Sequence, residues 1–228
     1  MRAALPLAIA LTALPGIASA QSGGTLHVAR NHPACSDTGP GTATQPLCTI
    51  SAAASRVTAG QTVRVSAGTY TEQVTVSRSG TATAPIRFLA APGADVVVTG
   101  GEHGFYLSSR SNVIVEGFEV RNTEDDGIVV KRSSRITLRG NEVHHVGAPT
   151  SSGKAKGIQI QETVDSVVDG NVVHDATDYG IYVVGSSGIE VTGNRAYANA
   201  RGYERAASGI RLYGSPDATV ANNVAHDN

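Results

Sequence analysis

The sequence predicts an all-β fold, a right-handed parallel β-helix solenoid of three parallel sheets with one N-terminal capping helix. Three observations predict it. The phrase Gly-apolar-x-apolar recurs at Gly104, Gly127, Gly157, Gly180 and Gly209. Fourteen residues after these glycines stand Phe118, Asn141, Asn171, Asn194 and Asn223, an asparagine in four of five. The return to the next glycine takes 9, 16, 9 and 15 residues, which makes a basic coil of 23 residues with two insertions at one corner. Solenoids tolerate insertions there, because each coil touches only its neighbours.

Taken in chain order, the first twenty residues carry Arg2, an apolar run from Ala3 to Ile17, and Ala18-Ser19-Ala20 before Gln21. That order of charge, apolar core and small residues is expected of a secretory signal peptide, so residues 1–20 are assigned to one and the protein is expected to be secreted. The run is too short for a comfortable membrane span, and membrane insertion is not expected. The chain carries 18 basic and 19 acidic side chains, a balance that argues against nucleic acid or an anionic membrane as partner.

Residues 21–66 are expected to form an N-terminal cap segment. Cys35 and Cys48 lie in a stretch rich in Gly, Thr and Pro. In an oxidising compartment they are expected to pair as a disulfide. Two free thiols or a metal site are the alternatives, although no His or third Cys lies at zinc-ligand spacing. The segment Thr49–Val57 reads as a helix capped by Thr49 or Ser51 and laid over the N-terminal end of the solenoid.

Residues 67–228 are expected to be the β-helix. One and three residues after each glycine come the inward pairs Phe105/Leu107, Ile128/Val130, Ile158/Ile160, Ile181/Val183 and Ile210/Leu212. A second strand contributes Val115, Leu138, Val168, Val191 and Val220, and a third Val120, Val143, Val173, Ala196 and Ala225. Three period-two strands per coil give three sheets around one core. The repeated Asn is expected at a turn with φ > 0, its amide bonding to the next Asn in the stack. At Phe118 that ladder stops, so the coil must close differently there. The chain ends at Asn228, in mid-coil and without a capping element. C-terminal truncation is the expectation, and cover by another molecule the alternative; a full-length chain is expected to be monomeric.

Outward positions on the first strand form two columns, one of Tyr106, Val129, Gln159, Tyr182 and Arg211 and one of Ser108, Lys131, Gln161, Val184 and Tyr213. Rings and hydrogen-bonding groups on a flat face suit sugars, which present apolar faces and hydroxyl rims. Tyr106, Gln159, Gln161, Tyr182, Tyr213 and Lys154 are therefore the substrate-binding candidates. The insertions that precede this face run from Val146 to Lys156 and from Ala200 to Ser208, the second carrying Arg201, Tyr203 and Arg205. All three lysines of the chain, Lys131, Lys154 and Lys156, fall in this zone. The register also makes Asp126, Lys156 and Tyr179 vertical neighbours along one wall. A further column of Arg121, His144, His174, Tyr197 and His226 could hold a transition metal, but histidines so placed more often pack and hydrogen-bond along a turn.

From Leu26 onward, the phrases Asp37-Thr-Gly-Pro-Gly-Thr, Gln45-Pro-Leu-Cys-Thr-Ile, Ala59-Gly-Gln-Thr-Val-Arg-Val, Ala67-Gly-Thr-Tyr-Thr-Glu72, Ala84-Pro-Ile-Arg-Phe and Val96-Val-Val-Thr-Gly-Gly101 resemble the secreted β-helix proteins related to family 9 polysaccharide (pectate) lyases. The later coils match only as generic β-helix. The resemblance implies calcium near a pair of aspartates opening one coil, helped by an acidic residue one coil earlier and an Asp three positions after the pair, with a lysine base in the following coil. Asp125-Asp126-Gly127 matches the pair, and Glu102 lies one coil earlier. The later Asp corresponds to Val129 and the lysine to Gln159, two departures from the pattern.

β-Elimination from a uronate needs a base for the C5 proton and neutralisation of the adjacent carboxylate, which calcium with a Lys or Arg supplies. Lys131, Lys156 and Arg211 are the catalytic candidates, and Glu102, Asp125, Asp126 and Asp178 the oxygen ligands for calcium. Hydrolysis by paired carboxylates ranks below this, because Asp125 and Asp126 are too close in sequence to face each other across a bond. The expected function is binding, with cleavage by β-elimination as the leading enzymatic option, of an acidic polysaccharide such as pectate. The alternative is a non-catalytic carbohydrate-binding or cell-surface adhesion module.

Overall fold

The computed structural model describes residues 23–147, 154–201 and 207–228. The expected signal peptide lies outside these residues, as do Tyr203 and Arg205. The fold is a parallel β-helix with three sheets of eight, six and seven strands. The six-stranded sheet contains Phe105–Ser108, Ile128–Lys131, Ile158–Gln161, Ile181–Val184 and Ile210–Tyr213, each beginning one residue after an opening glycine. All adjacent strands in it pair in parallel, with Tyr106 opposite Val129, Gln159, Tyr182 and Arg211 in succession. The eight-stranded sheet already starts at Thr25–Val28, which pairs with Thr62–Val65.

The inward columns are buried as the alternation requires, through Ile181/Val183, Val191 and Ala196. The last coil is more open, with Val220 and Val224 about half exposed. Phe118, where the asparagine ladder stops, fills the core instead. Its ring stands edge-on to Phe105 at 4.9 Å, and Phe105 in turn meets Phe88.

The opening glycines are required by close approach, not by unusual φ. A Cβ on Gly127 would lie 2.3 Å from Val143 Cγ1 and 2.7 Å from the Gly157 carbonyl oxygen. Gly157 and Gly180 are boxed in the same way by the following coil. Any side chain there would force the coils apart, so the repeat of glycine reports coil-to-coil contact directly.

The asparagine stack is present, but the positive φ lies one residue earlier, at Gly117, Gly140, Gly170, Gly193 and Asn222. The asparagines turn inward. Asn171 Oδ1 accepts from the backbone N–H and the Nδ2 of Asn141, while its own Nδ2 donates to the Leu138 carbonyl and to Asn194 Oδ1, all at 3.0 Å. Burying an amide is tolerable only when its polar atoms are so satisfied. A second ladder of Ser133, Thr163, Ser186 and Ser215 secures another corner: each hydroxyl accepts from the backbone N–H of the residue one coil earlier.

At the N-terminal end, Ile50–Arg56 forms the expected helix with Thr49 as its cap. Two of the N–H groups that a helix start leaves unpaired, those of Ile50 and Ser51, donate to the Glu72 carboxylate. The Asp37 carboxylate accepts from the backbone N–H of Cys48 and Thr49. Cys35 and Cys48 are joined in a disulfide, so neither alternative for the pair applies.

Candidate functional site

Three columns of side chains line one wall of the solenoid. The first is formed by the residues just before the opening glycines: His103, Asp126, Lys156, Tyr179 and Ser208. Backbone bonds from Gly127 to Lys156, Gly157 to Tyr179 and Gly180 to Ser208 hold these residues in vertical succession. The other two columns are the outward positions of the six-stranded sheet, in the register expected from the sequence.

At the centre of the wall, Asp126 is 2% exposed. Its Oδ1 accepts from the Lys156 backbone N–H at 2.7 Å and lies 3.9 Å from Lys156 Nζ. Burial pushes the Asp126 carboxyl up to about 6, against the opposing pull of Lys156, its backbone N–H and Lys131. The structure therefore brings Asp126, Lys131 and Lys156 into one electrostatic group. Val129 is fully buried and Gln159 9% exposed, so the middle of the face is less open than an ordinary sheet surface. Gln159 Nε2 donates to Gln161 Oε1, whose own amide donates to Glu162.

Further along, the rings of Tyr179 and Tyr182 stack at 5.1 Å. The Arg211 guanidinium lies over the Tyr179 ring and donates to its hydroxyl. Tyr213 is 61% exposed, and Lys154 is also exposed. At the opposite end, the Tyr106 ring stacks on His103 at 5.4 Å.

The four expected calcium ligands do not converge. Glu102 and Asp125 lie together with His103, their ligand atoms within 4.8 Å of one another. Asp126 instead faces the Lys156 ammonium. Asp178 is buried one coil beyond Ala155, to whose carbonyl its N–H donates, which sets it about 10 Å along the stack from Asp125. Calcium takes six to eight oxygens; two carboxylates and an imidazole do not form such a cage, and a lysine already neutralises the third carboxylate. His103 and Tyr179 had no assigned role from the sequence. Their position immediately before an opening glycine, shared with Asp126 and Lys156, was the available signal.

A second group lies at the corner following the third sheet. His144, His174, Tyr197 and His226 stack ring on ring at 4.7–5.3 Å, as the column reading expected. His145, outside that column, is turned against it with its ring nearly perpendicular to those of His144 and His174. A cavity of about 380 Å³ beside it is lined by Asn122, Glu124, His145, Asp175, Thr177 and Arg201, among others.

Fold and wall together define a parallel β-helix protein with a polar, ring-bearing lateral face. The family model described as the right handed beta helix region matches residues 94–228, more than half of the chain, and the chain belongs to that family. The uncharacterized protein YwoF of Bacillus subtilis (strain 168) is 26% identical, over 91% of this chain and 57% of its own length. The structure of XylC with xylose superposes with a TM-score of 0.74 at 15% identity, over 89% of this chain and 58% of that one. Pectate lyase Pel9A superposes with a TM-score of 0.62 at 18% identity, over 89% and 62%. The chain thus spans somewhat over half the length of these proteins, and the structural likenesses establish the fold.

Proposed function

We propose that this protein is secreted and, as a monomer, binds an acidic polysaccharide of the polyuronate class along the wall from Tyr106 to Tyr213, and cleaves it by β-elimination. The observation that carries this reading is the Lys156 ammonium, held 3.9 Å from the buried Asp126 carboxylate on the same wall as the Arg211 guanidinium. The backbones carrying these cations lie two coils apart, about 10 Å, and the guanidinium leans back over Tyr179 of the intervening coil, whose ring stacks with Tyr182. The likeness to a pectate lyase supports the substrate class. The N-terminal apolar segment and the Cys35–Cys48 disulfide support export.

In this reading Arg211 neutralises the uronate carboxylate, which acidifies the adjacent C5 proton. Lys156 in its amine form takes that proton. The C5–H electron pair becomes the C4=C5 double bond, the C4–O bond breaks, and the departing oxygen receives a proton from the Tyr179 hydroxyl or from water. Asp126 fixes the position of Lys156. Tyr106 and Tyr182 offer rings to sugar faces; Gln159, Gln161, Lys154 and Tyr213 serve the hydroxyl and carboxylate rims. No step is routed through calcium, because Asp126 is engaged with Lys156.

A second reading has its own observation. Val129 and Gln159 stand where the resembled lyases carry Asp and Lys, which favours a carbohydrate-binding or adhesion module without catalysis. Incubation of the full chain with polygalacturonate and with alginate, at neutral and alkaline pH, with calcium and with chelator, separates the two. Elimination predicts a rise in unsaturated-product absorbance that increases toward alkaline pH and falls about 100-fold or more in Lys156→Ala. Binding with no product on either substrate favours the adhesion reading.

A further inference from the structure

We propose that His144, His145 and His174, with Asp175, form a binding site for a divalent transition-metal ion of the zinc type, on the corner between the third sheet and the six-stranded sheet. The ring column alone does not require it, since stacked imidazoles and tyrosines can simply pack. His145 is what distinguishes this coil. It occupies the left-handed corner position, φ 51°, that Asp175 and Asp227 fill in other coils. There the aspartate accepts from the Nδ1 of the preceding histidine, in the pairs His174–Asp175 and His226–Asp227, each at 2.7 Å. At His145 the carboxylate is replaced by a second imidazole, and the two Nδ1 atoms of His144 and His145 stand 2.7 Å apart.

The orientation of His144 is fixed from its other side. Its Nε2 lies 3.1 Å from the Glu119 carboxylate, which only accepts hydrogen bonds. A neutral His144 therefore carries its proton on Nε2 and aims the Nδ1 lone pair at His145. One coil on, His174 Nε2 faces Glu142 at 3.3 Å in the same way, while its Nδ1 is bonded to Asp175 at 2.7 Å and ligates only once the ion displaces the proton on that bond. An imidazole backed by a carboxylate on one nitrogen and free to ligate through the other is the recurrent construction of protein metal sites. One ring nitrogen from each of the three histidines lies within 4.8 Å of the others. Nitrogen atoms sharing a tetrahedral zinc at bonds of about 2.0–2.1 Å stand about 3.3 Å apart, so His144 and His145 would part slightly and His174 would close in.

Asp175, bonded to His174 through one oxygen and 3.4 Å from Arg201 through the other, supplies the oxygen ligand. Imidazole with one carboxylate selects zinc, copper, nickel or iron over magnesium and calcium. The cavity lined by His145, Asp175 and Arg201 leaves a side of the ion open to water or a small anionic ligand. The site stands whether or not the glycan-binding wall is catalytic.

The test is titration of the untagged full chain with Zn²⁺ by calorimetry, and with Co²⁺ by visible absorption. The expected result is one equivalent of Zn²⁺ at micromolar or tighter affinity and a Co²⁺ spectrum of a low-coordinate, imidazole-bound ion. His145→Asn is expected to weaken Zn²⁺ at least tenfold, and His226→Asn, which alters the same ring column outside the cluster, to leave it unchanged. Should His145→Asn fail to fold, Glu119→Gln, which replaces no ligand and acts only through its contact with His144, is expected to weaken Zn²⁺ roughly 10- to 100-fold. An aqua-ion Co²⁺ spectrum, Zn²⁺ affinity that ignores both His145→Asn and Glu119→Gln, or equal loss in His226→Asn overturns the proposal.

Discussion

Replacing Asp126 with Asn changes the pH dependence of stability in a way the site's geometry specifies. Burial raises the folded-state carboxyl from 3.8 to about 6, a little over two units at 1.36 kcal/mol each, or about 3 kcal/mol. Because the folded value is the higher one, the folded protein binds the extra proton between about pH 4 and 6, and this group's contribution to stability falls as pH rises through that window. Above pH 6 the buried charge weighs fully against folding. Asn keeps an oxygen to accept from the Lys156 N–H and has no charge to bury. Denaturant unfolding of both proteins from pH 3.5 to 7.5 is therefore expected to show Asp126→Asn gaining about 3 kcal/mol on the wild type across the range, with the gain concentrated between pH 4 and 6. A constant difference between the two curves would mean that burial does not outweigh the attraction of Lys156 at this carboxyl, the reverse of the balance described.

Other consequences follow from the frame of the solenoid. Asn171→Ala strands the Asn141 backbone N–H, an Asn141 amide hydrogen and the Leu138 carbonyl; at about 1–3 kcal/mol for each buried unsatisfied group, a loss of about 3–9 kcal/mol is expected in denaturant unfolding. Paired replacement of Cys35 and Cys48 by Ser opens a crosslink spanning 13 positions, with an expected loss of about 3 kcal/mol. Glu72→Gln weakens the acceptor for the Ile50 and Ser51 N–H groups, and an expected loss of about 1 kcal/mol is read from thermal unfolding.

The fold was legible because its marks are one-dimensional: a glycine that no side chain can replace recurs wherever coils touch, as at Gly127 against the Gly157 carbonyl. The asparagine ladder was read in its stacking but displaced in its backbone, since Gly140, Gly170 and Gly193 carry the positive φ and leave Asn free to turn inward. The Ser133–Thr163–Ser186–Ser215 ladder escaped because its identity is not constant, although both residue types supply the hydroxyl it needs. Glu72 and Asp37 sat inside recognisable phrases, yet their partners at the start of the capping helix lie 11 to 22 residues away, beyond the reach of local pattern. The wall columns followed directly from register. What register could not give was side-chain direction: Asp126 toward Lys156 rather than toward Asp125, Val129 and Gln159 sunk into the face, and His145 folded back from its corner onto His144. Those directions depend on burial and on neighbours from adjacent coils.

The central claim is that this wall recognises the charge of an acidic glycan. Calorimetric titration with an oligogalacturonate, and with the same oligomer after reduction of its carboxylates to alcohols, tests it most directly. The account predicts at least tenfold tighter binding of the acidic form, with most of that preference lost in Arg211→Ala. Equal affinity for the two oligomers, or a preference untouched by Arg211→Ala, would contradict it.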